Sequence, residues 1–205
     1  MMNHIKTGVL LLAVPGIFFA GPVRAADDFE ALSKTAQNIK SISADFIQEK
    51  HLKILAKPIV SQGRLYFKAP GSIRWEYFSP AKTLTLMNKH SATVYIRSEK
   101  NWVMDKTQGN IRGIVMDEIN NWLTGRFQEN PAFTHVYKPG PPPSVILTPK
   151  EEMKNFISQI VLKLSKTTGM VEQVEIMEGQ GNRSKITFKN EKLNVDLPNS
   201  LFEKP

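Results

Sequence analysis

The 205-residue chain contains no cysteine. This excludes structural disulfides, thiolate metal sites, cysteine nucleophiles and lipid attachment through a cysteine of the chain itself. Histidine is scarce. Of four, His4 lies near the N-terminus, and His51, His90 and His135 stand alone with no second His at i+3 or i+4. No His-Glu-x-x-His, Gly-x-Ser-x-Gly or phosphate-binding glycine loop is present. Ser165-Lys166 and Ser184-Lys185 are adjacent pairs, which in a strand point to opposite faces. Paired acids at Asp27-Asp28, Asp117-Glu118 and Glu151-Glu152 fit helix starts or a loop, where charge on a helix N-terminus accounts for them. The expectation is a protein that is not an enzyme and uses no metal or cofactor. Long hydrophobic runs are also lacking. The longest, Gly8 to Ala20, is broken by Pro15-Gly16, whereas a spanning helix needs about 20 apolar residues.

That run follows Lys6 and precedes Val23-Arg24-Ala25, a small residue before a cut. Together they read as a secretory signal over 1–25, cleaved near Ala25, with a single domain over 26–205. The competing reading is one membrane anchor. Export moves the protein out of the cytoplasm, so a pI near 9.6 no longer points to nucleic acid. The positive excess lies in the first half: residues 26–115 hold 14 Lys/Arg against 8 Asp/Glu, and residues 116–205 hold 11 of each. It is either a solvated surface or a docking face for acidic partners or anionic headgroups.

Two segments have helical spacing. Phe29, Leu32, Ala36 and Ile39 predict a helix over 28–40 behind Asp27-Asp28 as caps. Met116, Ile119, Trp122 and Leu123 predict another over 116–124, stopped by Gly125. The rest reads as short strands. Phe46-Ile47, Leu52 and Ile54-Leu55 fit extended chain up to Pro58. Leu65 and Phe67 alternate before the Pro70-Gly71 turn. Ile73, Trp75 and Tyr77 alternate with Arg74, Glu76 and Phe78, and Leu84 and Leu86 with Thr83 and Thr85. Residues 93–97 and 101–105 pair, and Trp102 and Met104 share a face. Strands follow at 133–137, 145–148, 156–165, 171–178 and 183–189. Pro139-Gly140-Pro141-Pro142-Pro143 suits a stiff hairpin loop better than a linker or polyproline ligand.

Consecutive strands with short turns imply a large antiparallel sheet with one face in need of cover. Two short helices cover little of a curled sheet, so a cup with room for an apolar ligand is expected. The candidate lining residues are Leu65, Phe67, Ile73, Trp75, Tyr77, Leu84, Leu86, Trp102 and Met104, with Met116, Ile119, Trp122 and Leu123 from the second helix.

Residues 62–80 read Gly63-x-Leu65-x-Phe67-x-x-Pro70, then Arg74-Trp75-x-Tyr77-x-x-Pro80. This resembles the strand–turn–strand signature of the periplasmic outer-membrane lipoprotein carrier (LolA) family. Asp45-Phe46-Ile47-Gln48, Leu147-Thr148-Pro149-Lys150, Ile186-Thr187-Phe188, Leu197-Pro198 and Leu201-Phe202 agree in family order. The resemblance implies a mainly β fold: a large curved antiparallel sheet forming an incomplete, open β-barrel, with short α-helices as a lid over an apolar cavity. It implies a monomeric periplasmic shuttle that takes acylated lipoproteins from an inner-membrane ABC transporter to the outer membrane or an acceptor there, with no cofactor and no nucleic acid. Ala69 departs from the family, in which an Arg before the signature Pro bonds to the lid; Lys68 and Arg74 are the nearby cations. The alternatives are a lipid- or lipoprotein-sensing regulatory domain, or a carrier of another acylated or glycolipid cargo.

Overall fold

The computed structural model describes residues 22–88, 91–105 and 110–205. Of the expected signal segment 1–25, residues 1–21 therefore lie outside the described residues, as do 89–90 in the expected turn after Asn88, while 22–25 belong to the first helix. Helix α1 (Pro22–Gln37) leads into β1 (Ser41–His51), β2 (Ile59–Lys68), β3 (Ser72–Ser79), β4 (Thr83–Asn88), β5 (Ser91–Ser98) and β6 (Asn101–Met104). Helix α2 (Asn110–Leu123) crosses to β7 (Phe133–Lys138), β8 (Ser144–Pro149), β9 (Ile157–Leu164), β10 (Val171–Glu178) and β11 (Arg183–Leu193).

All eleven strands form one antiparallel sheet in the order β6-β5-β4-β3-β2-β1-β11-β10-β9-β8-β7. Each wing is a meander, because a short turn between alternating segments favours pairing with the next strand. The wings join where β1 pairs with β11. Strands β6 and β7 are left as the two edges, so the barrel is not closed. Helix α2 supplies the connection between those edges.

The registers define one continuous inner face. From one wing to the other, Val94, Thr85, Trp75, Leu65 and Ala44 lie in line. Beside them Phe46 faces Phe188 across β1 and β11, and Val174, Leu162, Val145 and Tyr137 continue to β7. Apart from Val94 and Thr85, these residues join Phe29 and Ile39 and the α2 side chains Ile119, Trp122 and Leu123 in and around the main core. Gly63 is an inner-face position. A Cβ there would meet the Phe46 ring at 2.2 Å and the Glu76 carbonyl at 2.3 Å, so the signature glycine is the space into which Phe46 packs.

The outer face of β3 and β4 has its own cover. The segment after β11 folds back over it, with Leu197 and Phe202 buried. Lys68 Nζ donates to the Leu197 carbonyl (2.7 Å) and to Asn199 Oδ1 (2.8 Å). Arg74 Nη1 donates to the carbonyls of Leu201 (3.2 Å) and Lys204 (2.9 Å), and Asn88 Nδ2 to that of Phe202 (3.2 Å). Lys68 and Arg74 are thus committed to the tail, on the side away from the helices.

Several sequence expectations change. Helix α1 starts at Pro22 and ends at Gln37, so Asp27-Asp28 lie within it rather than capping it. Helix α2 starts at Asn110, six residues before the expected start; Gly113, a poor helix former, hides its first turns. Asp117-Glu118 therefore sit mid-helix, and a helix N-terminus does not account for them. Residues 52–58 are a loop, not strand.

Candidate functional site

The inner face is built by strand parity. Leu65 pairs with Trp75 and Phe67 with Ile73 across β2 and β3, and Tyr77 lies opposite Gly63. All but Tyr77 are buried. The Phe46 ring lies 4.8 Å from Trp75 (tilted) and 5.0 Å from Tyr77 (edge-on), separations typical of attractive aromatic pairs. From α2, Ile119, Trp122 and Leu123 enter the same core. With α2 packed here, the inner face is filled by the protein's own side chains.

Four expected lining residues face the other way. Leu84 pairs with Glu76 and Leu86 with Arg74, so both lie on the outer face under the C-terminal tail. Met104 pairs with Tyr95 and Trp102 with Arg97, continuing that face; the Arg97 guanidinium sits 5.5 Å over the Trp102 ring. Their alternation is real, but Met87 and Val103 occupy the inner positions instead. Met116 lies on α2, and its side chain is outside the described residues. Phe46, Phe188 and the β8–β10 wing complete the inner face and were missing from the candidate set. Phe46 was accessible through its parity with Ile42 and Ala44 on β1, both buried.

At the β5–β6 edge the cover runs out. Ile96 pairs with Thr83 and Val103 with Ile96, which places both on the inner side. They are 46% and 53% exposed. The inner face thus ends in an apolar shelf open to solvent.

Glu118 is 1% exposed, and its Oε1 accepts a bond from Trp122 Nε1 at 2.7 Å. Burial pushes its carboxyl up to about 7, against the smaller opposing effects of Trp122 and Asn130. Its Oε2 and the Trp75 Nε1 are buried without a hydrogen-bond partner. The Tyr77 hydroxyl donates to Gln48 Oε1, and burial raises its pKa. Among the described residues no group of three or more His, Cys, Asp or Glu is arranged to hold a metal ion, and no helix is long and apolar enough to cross a membrane.

The lid is held at its C-terminal end. Gly125, with φ +67°, closes α2: the Arg126 N–H returns to the Asn121 carbonyl (2.9 Å) and the Gly125 N–H to that of Trp122 (3.4 Å). Ser33 Oγ of α1 donates to the Gly125 carbonyl. Gly169 of the β9–β10 turn packs against α1 close by, where a Cβ would lie 2.3 Å from the Leu32 carbonyl and 3.2 Å from Ala36 Cβ. Phe29 stacks on Tyr137 of β7 at 4.9 Å. A separate open groove of about 490 Å³ lies between α1, the 139–143 loop and Lys166-Thr167; it includes none of the signature residues of β2 or β3.

Comparison with known proteins adds the following. Residues 37–204 match the family model described as outer membrane lipoprotein carrier protein LolA. An outer-membrane lipoprotein carrier protein of Coxiella burnetii is 25% identical over 98% of this chain and 94% of its own length. One of Chromobacterium violaceum is 25% identical over 80% and 76%. Among solved structures, a DUF1329 family protein from Desulfovibrio piger superposes with a TM-score of 0.50 at 11% identity, covering 87% of this chain and 97% of that one. That likeness is one of fold.

Proposed function

Because the chain belongs to the outer membrane lipoprotein carrier protein LolA family, we propose that it shields lipoprotein acyl chains against its inner face and carries them across the periplasm. In this reading the chains are received from an inner-membrane ABC transporter and passed to the outer membrane or an acceptor there. The carrier works as a secreted monomer, without a cofactor and without catalysis. The observation that supports this best is the lid itself: Ile119, Trp122 and Leu123 of α2 join the apolar core of the inner face, where a ligand can replace them, and that face opens at the Ile96–Val103 shelf.

The energetics fit a carrier. An acyl chain of about 16 carbons resists exposure to water by roughly 12 kcal/mol, at about 0.8 kcal/mol per CH₂. A protein that kept all of this as affinity would never release its cargo. Each buried lid side chain is worth about 1.5–3 kcal/mol. Lifting three of them offsets a substantial part of one chain's transfer energy, and the net affinity is the difference. Release is then assisted by the lid closing behind the departing ligand.

The test is site-specific photo-crosslinking in cells. A crosslinker at Ile73 or Trp75 should capture acylated proteins, and one at Glu76 on the outer face of the same strand, or at Leu84 on the outer face of β4, should not. Equal capture at both faces, or none at either, overturns the proposal. Native mass spectrometry of protein purified from its own cells identifies the cargo class.

A further inference from the structure

We propose that the loop between β1 and β2, together with the turn at Phe156 beside it, is a membrane-docking tip that seats on anionic phospholipid headgroups. The loop reads Leu52-Lys53-Ile54-Leu55-Ala56-Lys57-Pro58. Ile54 is 88% exposed, Leu55 46% and Phe156 50%. A single exposed apolar side chain needs no explanation, but three at one end of the sheet do. The two segments are joined through the β10–β11 turn that lies between them. The Lys53 N–H donates to Asn182 Oδ1 (3.0 Å) in the β10–β11 turn, and the Gly179 N–H of that turn donates to the Phe156 carbonyl (3.1 Å).

The charge around the patch selects the partner. From Lys50 to Trp75 there is no Asp or Glu. Lys53 and Lys57 bracket Ile54 and Leu55 and form no ion pair among the described residues, whereas Lys50 is paired with Glu178 (3.2 Å) and Lys154 with Glu151 (2.5 Å). Apolar tips flanked by free ammonium groups suit a bilayer interface: the apolar groups sink below the headgroups and the lysines stay among the phosphates. A protein pocket for the same tips would have to desolvate those lysines. The tip also lies at the end of β2 where Ile59, exposed, shares inner-face parity with Gly63 and Leu65, with Ser61 between them. The carrier would thus meet the bilayer with the end at which its inner face emerges.

Docking is read without cargo, so its test is separate from that of the carrier proposal. Because the chain has no cysteine, Ile54→Cys gives one site for an environment-sensitive fluorophore, and Thr167→Cys, at the opposite end of the sheet, gives the control. Mature full-length protein is mixed with vesicles of phosphatidylethanolamine and phosphatidylglycerol, and with vesicles of phosphatidylcholine alone. The expected result is a blue shift and brightening at position 54 but not at 167, on the anionic vesicles. Co-sedimentation of unlabelled protein should fall at least tenfold for I54E/L55E and several-fold for K53Q/K57Q, with unchanged melting temperature. No sedimentation with anionic vesicles overturns the proposal. So does salt-sensitive sedimentation with no spectral change at position 54, which would mean surface charge without insertion. Unchanged vesicle binding by I54E/L55E also overturns it, and lost handover to an acceptor protein in that variant would make the tip a protein interface instead.

Discussion

The Ser33 hydroxyl of α1 donates to the carbonyl of Gly125, the residue that ends α2, and so joins the two helices over the cup. The contact is close on both sides: a Cβ on Gly125 would lie 2.7 Å from Ala36 Cβ and 2.7 Å from the Ser33 carbonyl. Ala69 carries no side-chain donor and Lys68 is engaged by the C-terminal tail, so this helix–helix seam is the contact to test as a latch.

Loosening the seam should raise ligand affinity. Ser33→Ala removes a hydrogen bond worth about 0.5–1.5 kcal/mol. If the closed lid is what the ligand must displace, the same variant binds a fluorescent apolar probe about 2- to 10-fold more tightly. Gly125→Ala adds a left-handed strain of about 1–2 kcal/mol to the clash with α1, and should lower the melting temperature as well. Unaltered probe affinity in both variants would show that the seam does not govern opening.

Glu118 should make the lid sensitive to pH. Its carboxyl ordinarily titrates near 4.5 but is held up to about 7 in the folded chain. Between those values the folded state keeps a proton that the unfolded state has lost, so stability falls as pH rises through the window and levels off above it. The full cost is at most about 3 kcal/mol, at 1.36 kcal/mol per pKa unit. Glu118→Gln keeps an acceptor for Trp122 and removes the charge. Its stability gain should be near zero below pH about 4 and largest above pH about 7, by thermal denaturation across pH. Probe affinity of the native protein should rise over the upper part of the same range, and that of E118Q should stay flat.

Gly63→Ala should be far more damaging than an ordinary strand substitution, because the new methyl group enters the volume of the Phe46 ring and the Glu76 carbonyl. Overpacking of this kind costs typically about 1–3 kcal/mol. Gly63→Ala combined with Phe46→Leu should recover part of the loss if steric conflict is the cause; additive losses in chemical denaturation would point elsewhere.

The C-terminal tail should detach without disturbing the cup. Arg74→Ala removes two bonds to tail carbonyls and the Glu76 pair (3.0 Å). Faster hydrogen exchange at 197–204 is expected, with apolar probe binding unchanged. Lys68→Ala should act in the same way and leave the lid alone. A shift in probe affinity in either variant would mean that the outer face communicates with the lid.

Much of this architecture was legible beforehand because strands leave a period of two and turns interrupt it. The pairing order within each wing follows, since neighbours joined by short turns pair with each other. The signature Ile73, Trp75 and Tyr77 fell on one face as expected, with Arg74 and Glu76 on the other. Parity failed at β4 and beyond. There Leu84 and Leu86 are as deeply buried as Met87, because the tail covers the outer face while the core covers the inner. A sequence that is apolar on both sides of a strand does not say which side is the cup.

Local pattern alone therefore determined the strand order of each wing, the α2 stop at Gly125, and the Gly63–Pro80 signature by which the family is recognised, since each depends on neighbours in the chain. Only the tertiary structure decided the rest. It turned Leu84, Leu86, Trp102 and Met104 outward, buried Glu118 in the middle of a longer α2, set Ser33 against Gly125, and left Ile54 and Leu55 bare on a loop. Each of these depends on which distant segment covers a given face, and burial by a segment a hundred residues away leaves no periodic trace in the residues it covers.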